Sequence, residues 1–358
     1  YLSAPRTTSL VTLNFDTLLE KALELEVKER VYSLTSVEPD TSAEPDKNPS
    51  VYHLHGIITP NETKDVILTL NDFTNLIAEE SAWQTTWVNQ AISKGAIIIA
   101  GTSYRDPDLR QWLYAALQNN AEGHKAFVLL AREAFGVTKE KFRKLQGILS
   151  AQWRAVGLEP ILLQDHTDAA QIIKEISYNE NLNYFSPSER SRSIWKAHSQ
   201  NFEAKQDEYV RQLDEDSTTL KERFQVETIN LTLWISDGDG KLVKWASQDR
   251  IHRDQSSLRS VETGHDSPWV AGRAMGADTL LFEDLDQDHT RRWRSVLAAP
   301  LPVSVCPDLP SVSSAVLTVG LPETAETFRK SDIDWGSAVA RIADNWGDRL
   351  SKSASEKQ

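Results

Sequence analysis

Ser9-Leu-Val-Thr-Leu-Asn-Phe-Asp-Thr-Leu-Leu-Glu20 decides how the N-terminal half of this chain is read. Leu10, Val11 and Leu13 make a short β-prone run, whereas Leu18, Leu19, Ala22 and Leu23 recur at helical spacing. Asn14 and Asp16 are therefore expected where a strand gives way to a helix. In open α/β sheets that edge is where ligands bind. Two later stretches have the same form. Val51-Tyr-His-Leu-His-Gly-Ile-Ile58 reads as an apolar strand with His53 and His55 on one face, because side chains alternate along a strand, and with Gly56 behind them. Ala96-Ile-Ile-Ile-Ala-Gly-Thr-Ser-Tyr-Arg-Asp-Pro-Asp108 reads as a central parallel strand buried on both faces, with Gly101, Thr102 and Ser103 in the turn at its carboxyl end.

Taken in order, Thr12-x-Asn14-x-Asp16, His55-Gly56 and Gly101-x-Ser103 resemble the motifs of the sirtuin-like superfamily of NAD-binding domains, over about residues 1 to 180. The resemblance implies that NAD is the substrate and that its nicotinamide–ribose bond is cleaved. His55 would engage a nicotinamide-ribose hydroxyl and act as base, a role suited to an imidazole near neutral pH. Asn14 would orient ribose or an attacking water, and Asp16 the carboxamide or ribose. Thr12, Gly56, Gly101, Thr102, Ser103 and Asp106 would complete the dinucleotide site. Read without the resemblance, the same residues have plainer uses. Asp16 or Thr17 could cap the following helix, Asp106 or Asp108 could cap another with Pro107 in its first turn, and a histidine could simply pack. His53 and His55 could pair on a metal, but no third ligand stands at metal spacing and no metal is expected.

Further along the first half, Val66 to Leu70 reads as a short strand turning into a helix capped by Asn71 or Asp72. Trp83, Trp87, Val88 and Ile92 mark a packed helix. Strands at Ala126 to Leu130 and Pro160 to Leu163 complete an expected doubly wound, mostly parallel Rossmann-like α/β sheet.

With 358 residues the chain should hold two domains and a connector. The net charge of −13, from 39 Lys and Arg against 52 Asp and Glu, argues against a broad nucleic-acid surface. Cys306 is the only cysteine, so neither an intrachain disulfide nor a four-cysteine zinc module can form. Sirtuins that deacylate proteins usually carry such a module, which favours an NAD glycohydrolase over a deacylase. No apolar run approaches the ~20 residues needed to span a bilayer and no signal peptide is visible, so a cytoplasmic protein without membrane partners is expected. Residues 1 to 8 contain no glycine. The Gly-rich turn that usually opens a dinucleotide domain then lies upstream of Tyr1, or the domain binds its dinucleotide poorly; the intact later motifs favour the former.

Residues 177 to 193 are polar and proline-marked, as a domain boundary would be. Trp195, Phe202, Tyr209, Leu213, Leu220 and Phe224 then recur at spacings of 7, 7, 4, 7 and 4, which predicts one long connecting helix over 186–226. Its stripe would bury against its own domain or against a second copy. The heptad-like run favours the second copy, hence a homo-oligomer. From Thr228 the period becomes two, and Ser-Asp-Gly-Asp-Gly240 between Ile229–Ile235 and Leu242–Ala246 predicts a hairpin. Trp269 to Arg273, Arg294 to Pro300 and a closing helix through Ala340-Arg-Ile-Ala-Asp-Asn-Trp346 resemble a GAF-type sensor domain over 227–352, an α+β fold with an antiparallel sheet. The expectation is an NAD hydrolase controlled by a C-terminal module that takes a small-molecule or protein trigger, in the manner of prokaryotic antiviral systems. A non-catalytic NAD-responsive module is the alternative.

Overall fold

The strand predicted around Val11 forms as β1 (Leu10–Thr12) and pairs in parallel with a strand that lies forty residues further on. The computed structural model describes residues 9–36, 49–78, 82–102, 111–112, 114, 126–178, 180–285, 292–330 and 334–355. Its backbone contacts divide the chain into two units, Tyr1–Leu130 with Arg143–Leu162, and Ala131–Phe142 with Leu163–Gln358.

In the first unit β1 leads into α1 (Leu18–Val27), followed by β2 (Tyr32–Leu34) and β3 (Ser50–His53). The sheet order is β1-β3-β2, all parallel, with Thr12 opposite His53 and Leu34 opposite Tyr52. A short ladder, β4 (Ile57–Ile58) with β5 (Thr63–Lys64), precedes α2 (Leu70–Ala78) and α3 (Trp83–Lys94). β6 (Ile97–Ala100), β7 (Ala126–Ala131) and β8 (Glu159–Leu163) form a second three-stranded sheet in that order, β6 and β7 parallel, with α4 (Lys139–Arg154) before β8. One apolar cluster joins these pieces. Leu54, Val88, Ile92, Trp112, Val128 and Trp153 are buried in it, and Val11, Leu13, Ile97 and Ile99 pack against it from β1 and β6.

Three local expectations need correction. The strand through His55 stops at His53, since Leu54 and His55 form a turn. Among the described residues β6 ends its sheet and is half-exposed along its length, Ile98 being 40% exposed; the strand with the buried core face is β7. An apolar run signals a strand, but not which place in the sheet it takes. Val66 to Leu68 form no strand, and the α2 cap is a reciprocal pair, with Thr69 Oγ1 accepting from Asp72 N and Asp72 Oδ2 from Thr69 N. Those hydrogen bonds hold the Asp72 carboxyl below its ordinary pKa.

The second unit contains α5 (His166–Ile176), α6 (Pro187–Ser199) and α7 (Phe202–Phe224). Its six-stranded antiparallel sheet has the order β11-β10-β9-β14-β13-β12. These are β9 (Asn230–Ser236), β10 (Lys241–Ser247), β11 (Ser260–Glu262), β12 (Leu281–Asp284), β13 (Ser295–Val303) and β14 (Val312–Leu321). α8 (Val270–Ala277) lies between β11 and β12, and α9 (Ala325–Arg329) and α10 (Trp335–Ser355) close the chain. The predicted hairpin is β9 with β10. Gly238 at φ +79° permits its turn, where a Cβ would lie 2.7 Å from the Arg192 backbone nitrogen.

The single long connecting helix is instead two. Ser186 and Glu189 form a capping box with Pro187 in the first turn, and α6 then ends at Ser199. Asn201, a residue suited to helix starts, stands at the N-cap of α7. Tyr209, Leu213, Leu220 and Phe224 are wholly or almost wholly buried against Leu231, Leu233, Leu317 and Val319 of the sheet and Trp346 of α10. That stripe is covered by its own domain, so it is not a seam for a second copy. The fold class is α/β with parallel strands in the N-terminal part and a curled antiparallel sheet flanked by helices in the C-terminal part.

Candidate functional site

Two backbone hydrogen bonds assemble the N-terminal site. Leu54 N–H donates to the Thr12 carbonyl at 3.1 Å and Ile58 N–H to the Phe15 carbonyl at 2.9 Å. The Thr12–Asp16 turn is thus held against the His55–Gly56 turn, although they are distant in sequence. Within the first turn Asn14 N–H donates to Thr12 Oγ1 at 3.0 Å. Asp16 Oδ1 accepts from Leu18 N–H at 3.0 Å, so Asp16 does serve the start of α1, as the plainer reading allowed. Asn14 and Asp16 are both exposed.

The two histidines part company here. His53 is fully buried, Nδ1 lying 3.0 Å from the Asn14 carbonyl and Nε2 2.6 Å from Glu20 Oε1. It supports the Asn14 turn from beneath, and both ring nitrogens are engaged. His55 is turned elsewhere, its ring centroid 6.3 Å from Phe15, 5.5 Å from Phe73 and 5.8 Å from Trp112. Gly56 makes the divergence possible. Its φ is +85°, and a Cβ there would lie 2.3 Å from the Asp65 carbonyl oxygen.

Gly101 and Thr102 leave the carboxyl end of β6. Gly101 has φ +72° and, among the described residues, open space where a Cβ would project, and Thr102 Oγ1 is buried with no hydrogen-bond partner among them. Ser103 and Asp106 lie outside the described residues. Trp112 Nε1 is a second buried donor lacking an acceptor among the described residues. Orphaned buried donors are uncommon in folded proteins. Leu13 and Leu54, the neighbours of Asn14 and His55, pack in the same apolar cluster as Ile97 and Ile99 of β6.

Sequence reasoning missed Glu20 and Trp112. The signal for Glu20 was available in principle: it is the one buried residue of α1, whose Leu18 and Leu25 are 67% and 80% exposed. Helical periodicity points to the leucines and so conceals it.

A separate cluster in the second unit brings Glu133, Asp165 and His265 together, with potential ligand atoms within 4.8 Å of one another. Each is already used. His265 Nδ1 lies 2.6 Å from Asp165 Oδ1, Glu133 Oε2 accepts from His166 N–H, and buried Arg132 pairs beside them with Asp266 at 2.7 Å. Arg132 holds the Asp266 carboxyl below its usual range. The cluster ties residues 131–142 to the 264–266 turn.

Residues 8–161 match the family model of the SIR2-like domain, the region marked by the three motifs. No curated protein matches the chain significantly. Among solved structures, a protein from Burkholderia vietnamiensis described as a GAF sensor aligns at 17% identity and a TM-score of 0.28, covering 48% of this chain and 98% of its own.

Proposed function

We propose that the SIR2-like domain of residues 8–161 hydrolyses NAD at the bond between nicotinamide and ribose, under the control of the C-terminal domain. The observation that carries this reading is the pair of backbone hydrogen bonds that holds exposed Asn14 and Asp16 against the turn bearing His55. Hydrolysis breaks the C–N bond to nicotinamide, forms a C–O bond from water and releases one proton. His55 accepts that proton, an imidazole being a competent base near neutral pH. Asn14 orients ribose or the water, having both a donor and an acceptor to offer. Asp16 keeps one carboxylate oxygen for the carboxamide or ribose while the other starts α1. Thr12 sets the turn through Asn14 N–H, Gly56 lets the backbone pass Asp65, and Gly101 and Thr102 hold the ribose and phosphate side. Ser103 and Asp106 are assigned to that side from the sequence alone. NAD depletion of this kind would suit a prokaryotic antiviral system that arrests the infected cell.

The engagement of Asp16 at the helix start favours a second reading, an NAD-responsive module that binds without turnover. Product analysis separates the two. Hydrolysis predicts equimolar nicotinamide and ADP-ribose with no deacetylation of an acetylated peptide. Saturable NAD binding with neither product would support the binding module and contradict hydrolysis.

A further inference from the structure

The second unit contains a cavity of about 780 Å³ on the sheet face opposite α6, α7 and α10, within the ~300–1,000 Å³ range of small-molecule sites. Strand alternation builds its floor. Asn230, Thr232 and Trp234 face it from β9, while Leu231, Leu233 and Ile235 face the core. Thr318 and Gly320 of β14 stand opposite Thr232 and Asn230, and Lys244 of β10 opposite Trp234.

The lining is both cationic and aromatic. Lys244, Arg259, Arg273 and Arg292 meet only two carboxylates, Glu283 and Asp284. Glu283 pairs with Arg273, and Asp284 Oδ1 accepts from Ala325 N–H at 2.6 Å. Lys244, Arg259 and Arg292 have no carboxylate partner among the described residues. Arg259 lies over the Trp269 ring at 5.1 Å and Arg292 over Trp293 at 4.6 Å. Trp234 lies 6.0 Å from Trp269 and donates through Nε1 to Thr318 Oγ1. Trp293 can lie against the sheet because residue 320 is glycine; a Cβ there would come within 2.9 Å of the indole. Burial lowers the Lys244 pKa, Asp249 opposes this, and nearby Arg259 and Arg250 add to the lowering, so a half-buried ammonium stands here among other cations.

We infer that this cavity binds a small planar aromatic molecule bearing an anionic group, its ring against the tryptophans and its anion at Lys244 and Arg259. Both halves follow from the lining: aromatic faces take a flat ring, and a half-buried ammonium beside exposed guanidiniums without carboxylate partners takes an anion. The inference rests on the reading of the C-terminal domain as a ligand-responsive module and is independent of NAD cleavage.

A purine monophosphate and an aromatic carboxylate share this chemistry. Calorimetry and tryptophan fluorescence on the full chain would use guanosine 5′-monophosphate and indole-3-acetate as probes. Guanosine, indole and inorganic phosphate would supply the ring or the anion alone. At least one two-part probe should bind about tenfold or more tighter than its separate parts. Lys244→Gln and Arg259→Gln should each weaken it by about tenfold, as expected for a charge-assisted contact, while Asn14→Ala leaves it unchanged. Which probe binds identifies the source. Binding with this pattern supports the site even if nicotinamide release does not respond, a result that would count against the regulatory reading alone. Failure of both probes on the folded wild-type chain, or equal binding by the Gln variants, overturns it.

Discussion

His53 and His55 look alike in the sequence, both in an apolar run and two residues apart. The structure gives them different work because the strand ends between them and Gly56 takes a left-handed backbone that only glycine adopts without strain. The His-Gly pair was legible as a motif; the buried role of His53 was not, because its partner Glu20 belongs to another element. Gly56→Ala should destabilise the N-terminal domain by roughly 3 kcal/mol or more, since it combines positive φ with a backbone clash. Chemical denaturation would measure it, and a loss below about 1 kcal/mol would mean the turn relaxes freely. In the other domain His198 is fully buried between the Ile194 carbonyl and the Tyr209 hydroxyl. Burial pulls its pKa from 6.5 to about 4 despite the opposing Ile194 carbonyl. The unfolded chain takes up this proton as pH falls below about 6.5 and the folded chain only near 4. His198 therefore contributes full stability above pH 6.5 and loses roughly 3 kcal/mol of it as pH falls to 4. Urea midpoints at pH 7.5 and pH 5 should differ less in His198→Asn than in the wild type.

Helices and strands announced themselves by period, and their neighbours did not. β9 and β10 were readable from alternation and a Gly-rich turn, and α3 from its tryptophans. The edge position of β6 was hidden because an apolar run carries no record of pairing. The split between α6 and α7 was hidden because the stripe continues through Asn201 with little change of phase. Nor did the sequence separate intramolecular from intermolecular burial of that stripe, since either buries the same face. Arg132 shows a similar limit, a buried arginine whose charged partner, Asp266, lies more than a hundred residues away. It donates to the Val137 carbonyl, Gln164 and Asp266. Arg132→Met should cost about 2–4 kcal/mol in the second unit, the upper end being held down because Asp266 is 41% exposed. Thermal unfolding of that unit would measure the loss, and an unchanged midpoint would show the cluster to be incidental.

On the scale of the whole molecule, sequence order and folded unit do not coincide. Residues 131–142 fall inside the SIR2-like match, yet fold with Leu163–Gln358. Lys139 reaches Glu262 and the Thr263 carbonyl, and Arg132 reaches Asp266, all within the second unit. A fragment ending near residue 161 loses these partners, so hydrogen exchange should be faster over 131–142 in the fragment than in the full chain. Equal protection would show that the segment needs no C-terminal partner. Among the described residues no helix is long and apolar enough to cross a membrane. The three N-terminal motifs were legible because each sits where a strand ends, although what brings the first two together is a pair of backbone hydrogen bonds that no sequence pattern displays. The most direct test of the account is the rate of nicotinamide release from NAD by the full chain beside Asn14→Ala and His55→Ala, each checked for folding. The account predicts release by the wild type and a loss of about a hundredfold or more in kcat for His55→Ala, the scale of general-base catalysis, with Asn14→Ala also impaired. Release that persists within about twofold in both variants would contradict it.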